Sequence, residues 1–137
     1  MIKPDQPIGH FCEDSGLWLA YRPWKVDLGD LGTLLVLPGF ESDGASIPRL
    51  LWSAVGPRYC ASTFPAALCH DALYAANLLT RKQADKIFYC HLRMFGVGRM
   101  KAATYYRAVR WFGGGPWRKD LSEILHWRQY VMLEEAA

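Results

Sequence analysis

Two helix-start signals lie close together in the middle of the chain, and they constrain the fold more than any other feature. Thr63 is suited to cap a helix that has Pro65 in its first turn. Residues 80–83, Thr-Arg-Lys-Gln, have the form of a capping box. The residues that follow predict helices over about 63–78 and 81–95, joined by a tight turn. An antiparallel helix pair is therefore the expected centre of the fold.

The segment before this pair is typical of short strands. Residues 17–22, 24–28 and 33–37 are rich in aromatic and aliphatic side chains, and Gly29-Asp30 supplies a turn between the last two. We expect a small antiparallel meander that ends at Pro38-Gly39, after an irregular lead-in over residues 1–16.

Further helices are predicted on the C-terminal side of the sheet. Ser46 is suited to cap a short helix to Val55, and a long helix over 100–112 ends where Gly113-Gly114-Gly115-Pro116 begins. Asp120 with Glu123 resembles a capping box and predicts a last helix over about 120–135. That helix is apolar over a wide arc, so it either covers the core of its own domain or docks on a neighbouring subunit.

The predicted fold class is α+β, with a small N-terminal antiparallel sheet followed by a helical bundle. A chain of 137 residues predicts a single domain over 1–137. Within it, residues 1–40 are mainly strands, 46–112 form a helical core, and 120–135 form the C-terminal helix.

Composition excludes several classes of protein. A net charge of +3 is too small to indicate nucleic-acid binding, and Arg107, Arg110, Arg118 and Lys119 are interpreted as charged side chains beside a core helix. We expect neither a signal peptide nor a membrane span.

The four cysteines show neither a paired motif nor zinc spacing, so free thiols in a reducing compartment are expected. Cys69 and Cys90 lie on the two helices that should pack together. They are therefore the candidate pair if a disulfide forms.

The strongest functional pattern lies on the helix pair. His70 and Tyr74 are four residues apart and share one helix face, while Asp71 points about 100° away. A second helix could bring Asp85 back to the imidazole, where it would fix the tautomer as Tyr74 donates to the same carboxylate. His70 would then be a general base.

Asp71 would face the other way, towards the turn formed by Asp43 and Gly44. A carboxylate with loop carbonyls offers hard oxygen ligands, which predicts Asp71 as a ligand of Ca²⁺. Two plainer interpretations stay open: a buried histidine and aspartate that only satisfy each other, and a structural turn at Asp43.

This pattern resembles the active-site helix pair of phospholipase A2. The matching residues are His70-Asp71-x-x-Tyr74, followed on the next helix by Ala84-Asp85-x-x-Phe88. The resemblance implies that His70 activates water, that Asp71 binds calcium, and that Asp85 and Tyr74 orient the base. Leu73 and Ala84 stand where that family has a disulfide, and only Gly44 represents its glycine-rich calcium loop.

A larger part of the chain resembles a phage and prophage family of unknown function. The shared pattern is Gly-Phe-x-x-Asp-Gly-Ala-Ser-Ile-Pro at 39–48, His-Asp-x-Leu-Tyr at 70–74, and Arg-x-x-Ala-Asp-x-x-Phe at 81–88. It implies a phage-encoded protein located in the host cytoplasm or in the virion. It also places Asp43, Gly44 and Ser46 with His70 as substrate or loop residues.

Three functions from different classes are compatible with these patterns. The first is a hydrolase that uses His70 and Asp85 on an ester, a lipid or a cell-envelope bond. The second is a non-catalytic tail or baseplate component of the virion, and the third is an effector that binds a host protein. The expected partners are accordingly other virion proteins or membrane lipid, with no nucleic acid and with oligomers formed through the C-terminal helix.

Overall fold

The structure, a computed structural model, describes residues 1–43 and 60–136. Its described strands form two antiparallel sheets, each of three strands. The first sheet has the order β1-β2-β5 and the second has the order β3-β4-β6. The strands are β1 (Gly9–Phe11), β2 (Trp18–Ala20), β3 (Trp24–Asp27), β4 (Thr33–Val36), β5 (Glu41–Ser42) and β6 (Val131–Glu134).

Burial alternates along the second sheet as expected for strands with one face on the core. Trp24 pairs with Val36, and Val26 pairs with Leu34, so that four buried side chains lie on one face. Lys25, between them, is exposed. This alternation explains why residues 24–28 and 33–37 could be predicted as strands.

Within the described residues, five helices follow the first five strands, with a 3₁₀ turn at Gly29–Leu31 before β4. They are α1 (Phe64–Ala76), α2 (Arg81–Met94), α3 (Arg99–Phe112), α4 (Gly114–Trp117) and α5 (Leu121–Trp127). The capping box predicted at the start of α2 is present in full, with Thr80 and Gln83 each bonding the other's backbone N–H. Thr63 is the N-cap of α1, although its side chain makes no capping hydrogen bond.

Helix α1 lies between two apolar clusters. Leu68 and Leu73 pack with the two sheets, whereas Ala66 and Ala67 pack with Phe88 and other side chains of α2 and α3. The small side chains on α1 permit close approach of its neighbours. The α+β class and the antiparallel pair of α1 and α2 are therefore confirmed.

The prediction of one last helix over 120–135 is wrong. Helix α5 ends at Trp127, and residues 131–134 form strand β6 beside β4. The apolar residues there alternate as in a strand, because Val131 is buried and Met132 is exposed. Gly32, at φ 111°, permits this pairing, since a Cβ there would lie 2.1 Å from the carbonyl oxygen of Glu134. The C-terminal segment thus covers the core of its own chain, which is one of the two roles predicted for it, but it does so as a short helix and a strand.

Three smaller predictions also change. The lead-in over 1–16 contains strand β1, which pairs with β2, so it is not irregular throughout. The expected single meander is divided between two sheets, with Pro23 between β2 and β3. The glycine run after α3 contains the single turn α4.

All four cysteines are free, so the candidate disulfide between Cys69 and Cys90 does not form. The short helix predicted from Ser46 to Val55 lies outside the described residues. None of the helices within 1–43 and 60–136 has the length and apolar character needed to cross a bilayer.

Candidate active site

Two helices bring an imidazole and a carboxylate together beside a cavity. On α1, His70 and Tyr74 lie one turn apart with their ring centroids separated by 4.2 Å. On α2, Asp85 is fully buried in the first turns of the helix. Its Oδ1 lies 2.7 Å from His70 Nε2 and accepts a hydrogen bond of 2.6 Å from the Tyr74 hydroxyl. The predicted juxtaposition of these three side chains is therefore confirmed as geometry.

A cation from a third helix completes this network. Arg110, near the end of α3, donates from Nη1 to Asp85 Oδ2 at 2.7 Å. Both oxygens of the buried carboxylate are thus occupied, which is the condition for burying a charge without a large penalty.

Arg81 fixes the end of the helix that carries Arg110. Its Nη2 donates to the backbone carbonyls of Val109 and Arg110 at 2.9 and 2.6 Å. Carbonyls in the last turn of a helix have no partner within the helix, so a cation there is favourable. Arg81 Nε also lies 3.3 Å from the Tyr74 hydroxyl and joins α3 to the network.

The charges of the pair follow from these contacts. Burial raises the pKa of Asp85, but hydrogen bonds from His70, Tyr74 and Arg110 outweigh it and hold that pKa below its usual value. Burial lowers the pKa of His70 and outweighs the opposing hydrogen bond and charge of Asp85. At neutral pH the site therefore contains an ionised carboxylate and a neutral imidazole.

This charge state determines which of the two imidazole nitrogens carries the proton. An ionised carboxylate only accepts, so His70 Nε2 carries the proton that points to Asp85. Nδ1 then has the lone pair, and it makes no hydrogen bond to any residue in the described parts of the chain. A neutral histidine with its second nitrogen fixed by a carboxylate has the arrangement of a general base.

His70 lines a cavity of about 470 Å³. The apolar part of the wall includes four aromatic side chains, those of Phe40, Phe88, Phe112 and Trp127. Besides His70 and Tyr74, the polar part consists of Glu41, Ser42, Asp43, Asp71, Lys119 and Glu123. A volume of this size holds a small organic group, and the mixed wall is typical of ligand sites.

Asp71 faces the other way from Asp85, as its position on the helix predicts. It is partly buried, and its Oδ2 accepts a hydrogen bond of 2.5 Å from the Ser42 hydroxyl. Burial, helped by the charge of Asp43, raises the pKa of Asp71 well above its usual value, against the hydrogen bond from Ser42 and the charge of Lys119. Asp43 lines the same cavity, whereas Gly44 and Ser46 lie outside the described residues.

Two residues of the site were not predicted as functional from the sequence. Arg110 and Lys119 were interpreted as charged side chains beside a core helix, but Arg110 binds Asp85 and Lys119 lines the cavity. Neither has a sequence signal, because each reaches the site through the packing of a helix or turn distant in the chain. Arg81 did belong to the recognised pattern, although its role as an anchor of α3 did not follow from it.

The fold and the site define an α+β protein with a buried histidine–aspartate pair at a cavity. The chain belongs to the family described as protein of unknown function (DUF1353), which matches residues 19–109. The predicted membership of a family of unknown function is confirmed, whereas its phage origin stays a prediction. The match contains His70, Asp71, Tyr74 and Asp85 and ends one residue before Arg110.

Two relatives come from Sinorhizobium fredii (strain NBRC 101917 / NGR234). The chain is 33% identical to the uncharacterized protein y4jT over 75 residues, which is 55% of this chain and 22% of that protein. It is 34% identical to the uncharacterized protein y4iH over 73 residues, 53% of this chain and 30% of that protein. The aligned region thus spans less than a third of either relative. No solved structure matches this chain.

Proposed function

We propose that this chain is a phage-encoded hydrolase in which His70 activates water for attack on an ester. One observation carries the proposal: His70 Nε2 is held by a buried, ionised Asp85 while the imidazole lines a cavity of about 470 Å³. A histidine and aspartate that only satisfied each other would need no cavity. The substrate class extends to lipids and cell-envelope esters, because aromatic rings line much of the wall.

The proposed reaction needs only water as a second reactant. His70 Nδ1 removes a proton from water as the water oxygen forms a bond to the ester carbonyl carbon. The tetrahedral intermediate then breaks its bond to the alkoxy oxygen, and the protonated imidazole returns the proton to that leaving group. The products are a carboxylic acid and an alcohol. Throughout this cycle Asp85 stabilises the imidazolium, and Tyr74 and Arg110 hold Asp85 in place.

Calcium at Asp71, which the resemblance to phospholipase A2 implies, stays a prediction. Calcium takes six to eight oxygen ligands. Within residues 1–43 and 60–136, no three His, Cys, Asp or Glu side chains come together as a metal-binding group. Asp71 and Asp43 offer carboxylates but fall short of that number, so no step above is assigned to a metal. Activity measured with EDTA and with added Ca²⁺ tests this prediction.

The experiment compares the wild type with His70→Gln on two substrates. These are p-nitrophenyl butyrate and vesicles of phosphatidylcholine and phosphatidylglycerol, with release of nitrophenol or fatty acid as the measurement. We expect hydrolysis by the wild type and a loss of roughly 10³-fold or more in the variant. His10→Gln, at an exposed histidine on β1, is the matched control and should keep full activity. If the wild type hydrolyses neither substrate faster than His70→Gln does, the proposal is wrong.

A virion tail or baseplate component is the second candidate. Met100, Trp111 and Leu121 are large apolar side chains with high exposure, a feature of surfaces that bind other proteins. The same feature suits an effector that binds a host protein. Mass spectrometry of purified particles from a phage that encodes this chain would find it at fixed stoichiometry in the first case. Particles that lack it would exclude a virion role.

A further inference from the structure

Lys119 enters the cavity from the turn after α4. Its Nζ donates hydrogen bonds to the backbone carbonyls of Tyr74 and Pro116 at 2.7 and 2.8 Å. An ammonium group has three N–H donors. The third makes no hydrogen bond to any residue in the described parts of the chain, and Lys119 lines the same cavity as His70.

The surroundings leave the Lys119 ammonium without an ion-pair partner among the described residues. Burial lowers the pKa of Lys119, whereas the charges of Glu123 and Asp71 oppose that change. Both carboxylates line the cavity. Over the described residues, neither lies within ion-pair distance of Nζ. Nζ is therefore held by two neutral carbonyls, and Lys119 lines the cavity in which a ligand would bind.

We infer that Lys119 binds the substrate oxygen on which negative charge develops during the reaction. This inference rests on the proposed function. When the water oxygen bonds to the carbonyl carbon, the electron pair of the C=O bond moves to the carbonyl oxygen, and the third N–H of Lys119 donates to it. The pair returns when the bond to the alkoxy oxygen breaks. Donors fixed in advance around such an oxygen are among the largest contributions to ester hydrolysis.

A purely structural role for Lys119 has to be separated from this one. Tyr74 lies in the last turn of α1, so Lys119 also caps the end of that helix. Arg128 caps the same end, because its Nε donates to Ala76 O at 2.8 Å and its Nη2 to Asn77 O at 3.3 Å. Arg128 does not line the cavity. The two cations thus share the capping role, but only Lys119 reaches the site.

The test compares Lys119→Met, Lys119→Arg and the matched control Arg128→Met. The first readout is hydrolysis of p-nitrophenyl butyrate. The second is binding of ethyl butylphosphonate, a tetrahedral ester with one negative charge, followed by isothermal titration calorimetry. For Lys119→Met we expect kcat to fall on the order of 10²-fold with little change in KM. Phosphonate affinity should fall at least about tenfold, which is the loss of one charge-assisted hydrogen bond. Lys119→Arg should recover part of both, and Arg128→Met should change each by less than about twofold.

The outcomes separate this inference from the proposed function. If His70→Gln is inactive but Lys119→Met hydrolyses and binds as the wild type does, Lys119 is only a helix cap and this inference is wrong. If His70→Gln is fully active while Lys119→Met alone loses phosphonate binding, the anion site stands and the role of His70 as base is wrong. A wild type that does not bind the phosphonate overturns the assignment of Lys119, whatever its activity. Equal losses of hydrolysis and of phosphonate binding in Lys119→Met and Arg128→Met would also overturn the assignment of Lys119.

Discussion

His70 and His91 are buried histidines on neighbouring helices, and only one of them lies in a candidate site. Their exposed fractions are 8% and 0%. Burial lowers the pKa of each, to about 4 for His91. The difference lies in their surroundings. His70 contacts the carboxylate of Asp85 and lines a cavity. His91 does not line that cavity, and the effects that oppose the lowering of its pKa come from the backbone and the charge of Asp27.

This difference shows what a histidine needs beyond burial in order to act as a base. A carboxylate on one nitrogen fixes the tautomer and stabilises the protonated form, and a cavity at the ring admits the group that gives up a proton. Burial alone makes the charged form of His91 unfavourable. We therefore expect substitutions around His70 to change chemistry and those around His91 to change stability.

The largest expected effect is that of Asp85→Asn. The amide keeps the shape of the side chain but loses the charge and replaces one acceptor oxygen with an NH2 donor, so it neither stabilises the imidazolium of His70 nor neutralises Arg110. We expect hydrolysis of p-nitrophenyl butyrate to fall roughly 10³-fold, while the free energy of unfolding falls by about 1–2 kcal/mol. Kinetics and urea denaturation measure the two effects. Asp27→Asn, at the carboxylate that acts on His91, is the control and should hydrolyse normally. Equal activity losses in both variants would remove the distinction between the two histidines.

An effect of intermediate size is expected from the pH dependence of stability at His91. Its pKa rises from about 4 in the folded chain to the ordinary value of 6.5 on unfolding. Between these two pH values the unfolded state binds a proton that the folded state does not bind. The contribution of neutral His91 to stability is therefore complete above pH 6.5 and decreases as the pH falls towards 4. The loss attributable to His91 reaches about 3 kcal/mol. His91→Leu should remove that part of the pH dependence in urea denaturation. His10→Gln should retain it, and an unchanged slope in His91→Leu would contradict the expectation.

The parts of the fold that were predictable from sequence depend on local signals. The capping box at Thr80 and the proline in the first turn of α1 each define a helix start within a few residues. Strands β3 and β4 follow from alternation with a period of two. Strand β6 was missed because its four residues follow a true helix start at Asp120. Its pairing with β4, a segment far away in the sequence, decides its conformation.

The residues of the site can also be divided into those that a local sequence signal predicts and those that it does not. His70, Tyr74 and Asp85 were predictable because two adjacent helices joined by a short turn bring positions near that turn together. Arg110 and Lys119 reach the same place from α3 and from the turn after α4, and no spacing rule connects them to His70. Sequence patterns thus predict the part of a site within one helix pair, while the cations that complete it depend on tertiary packing.

The smallest expected effect, and the one that distinguishes the two histidines most directly, is that of Arg110→Gln. The Arg110 side chain is 31% exposed, so solvent screens its ion pair, and the glutamine amide can still donate a hydrogen bond to Asp85 Oδ2. The substitution should therefore lower the free energy of unfolding by only about 1 kcal/mol. The substitution is also expected to change the pKa of His70 in one direction. With Arg110 present, Asp85 shares its charge between a guanidinium and an imidazole. Without it, the whole carboxylate charge acts on His70, which favours the imidazolium, so the pKa of His70 should rise.

Titration of the imidazole resonances by NMR measures this change, and it requires no substrate. Arg110→Lys keeps a positive charge beside Asp85 and should return the pKa of His70 towards its wild-type position. The pKa of His91 should stay unchanged in both variants, because Arg110 is not among the groups that act on it. A decrease in the pKa of His70, or equal shifts at the two histidines, would show that Arg110 does not act through Asp85. The network would then have only a structural role, since a cation that does not alter the effect of the Asp85 carboxylate cannot change the pKa of His70.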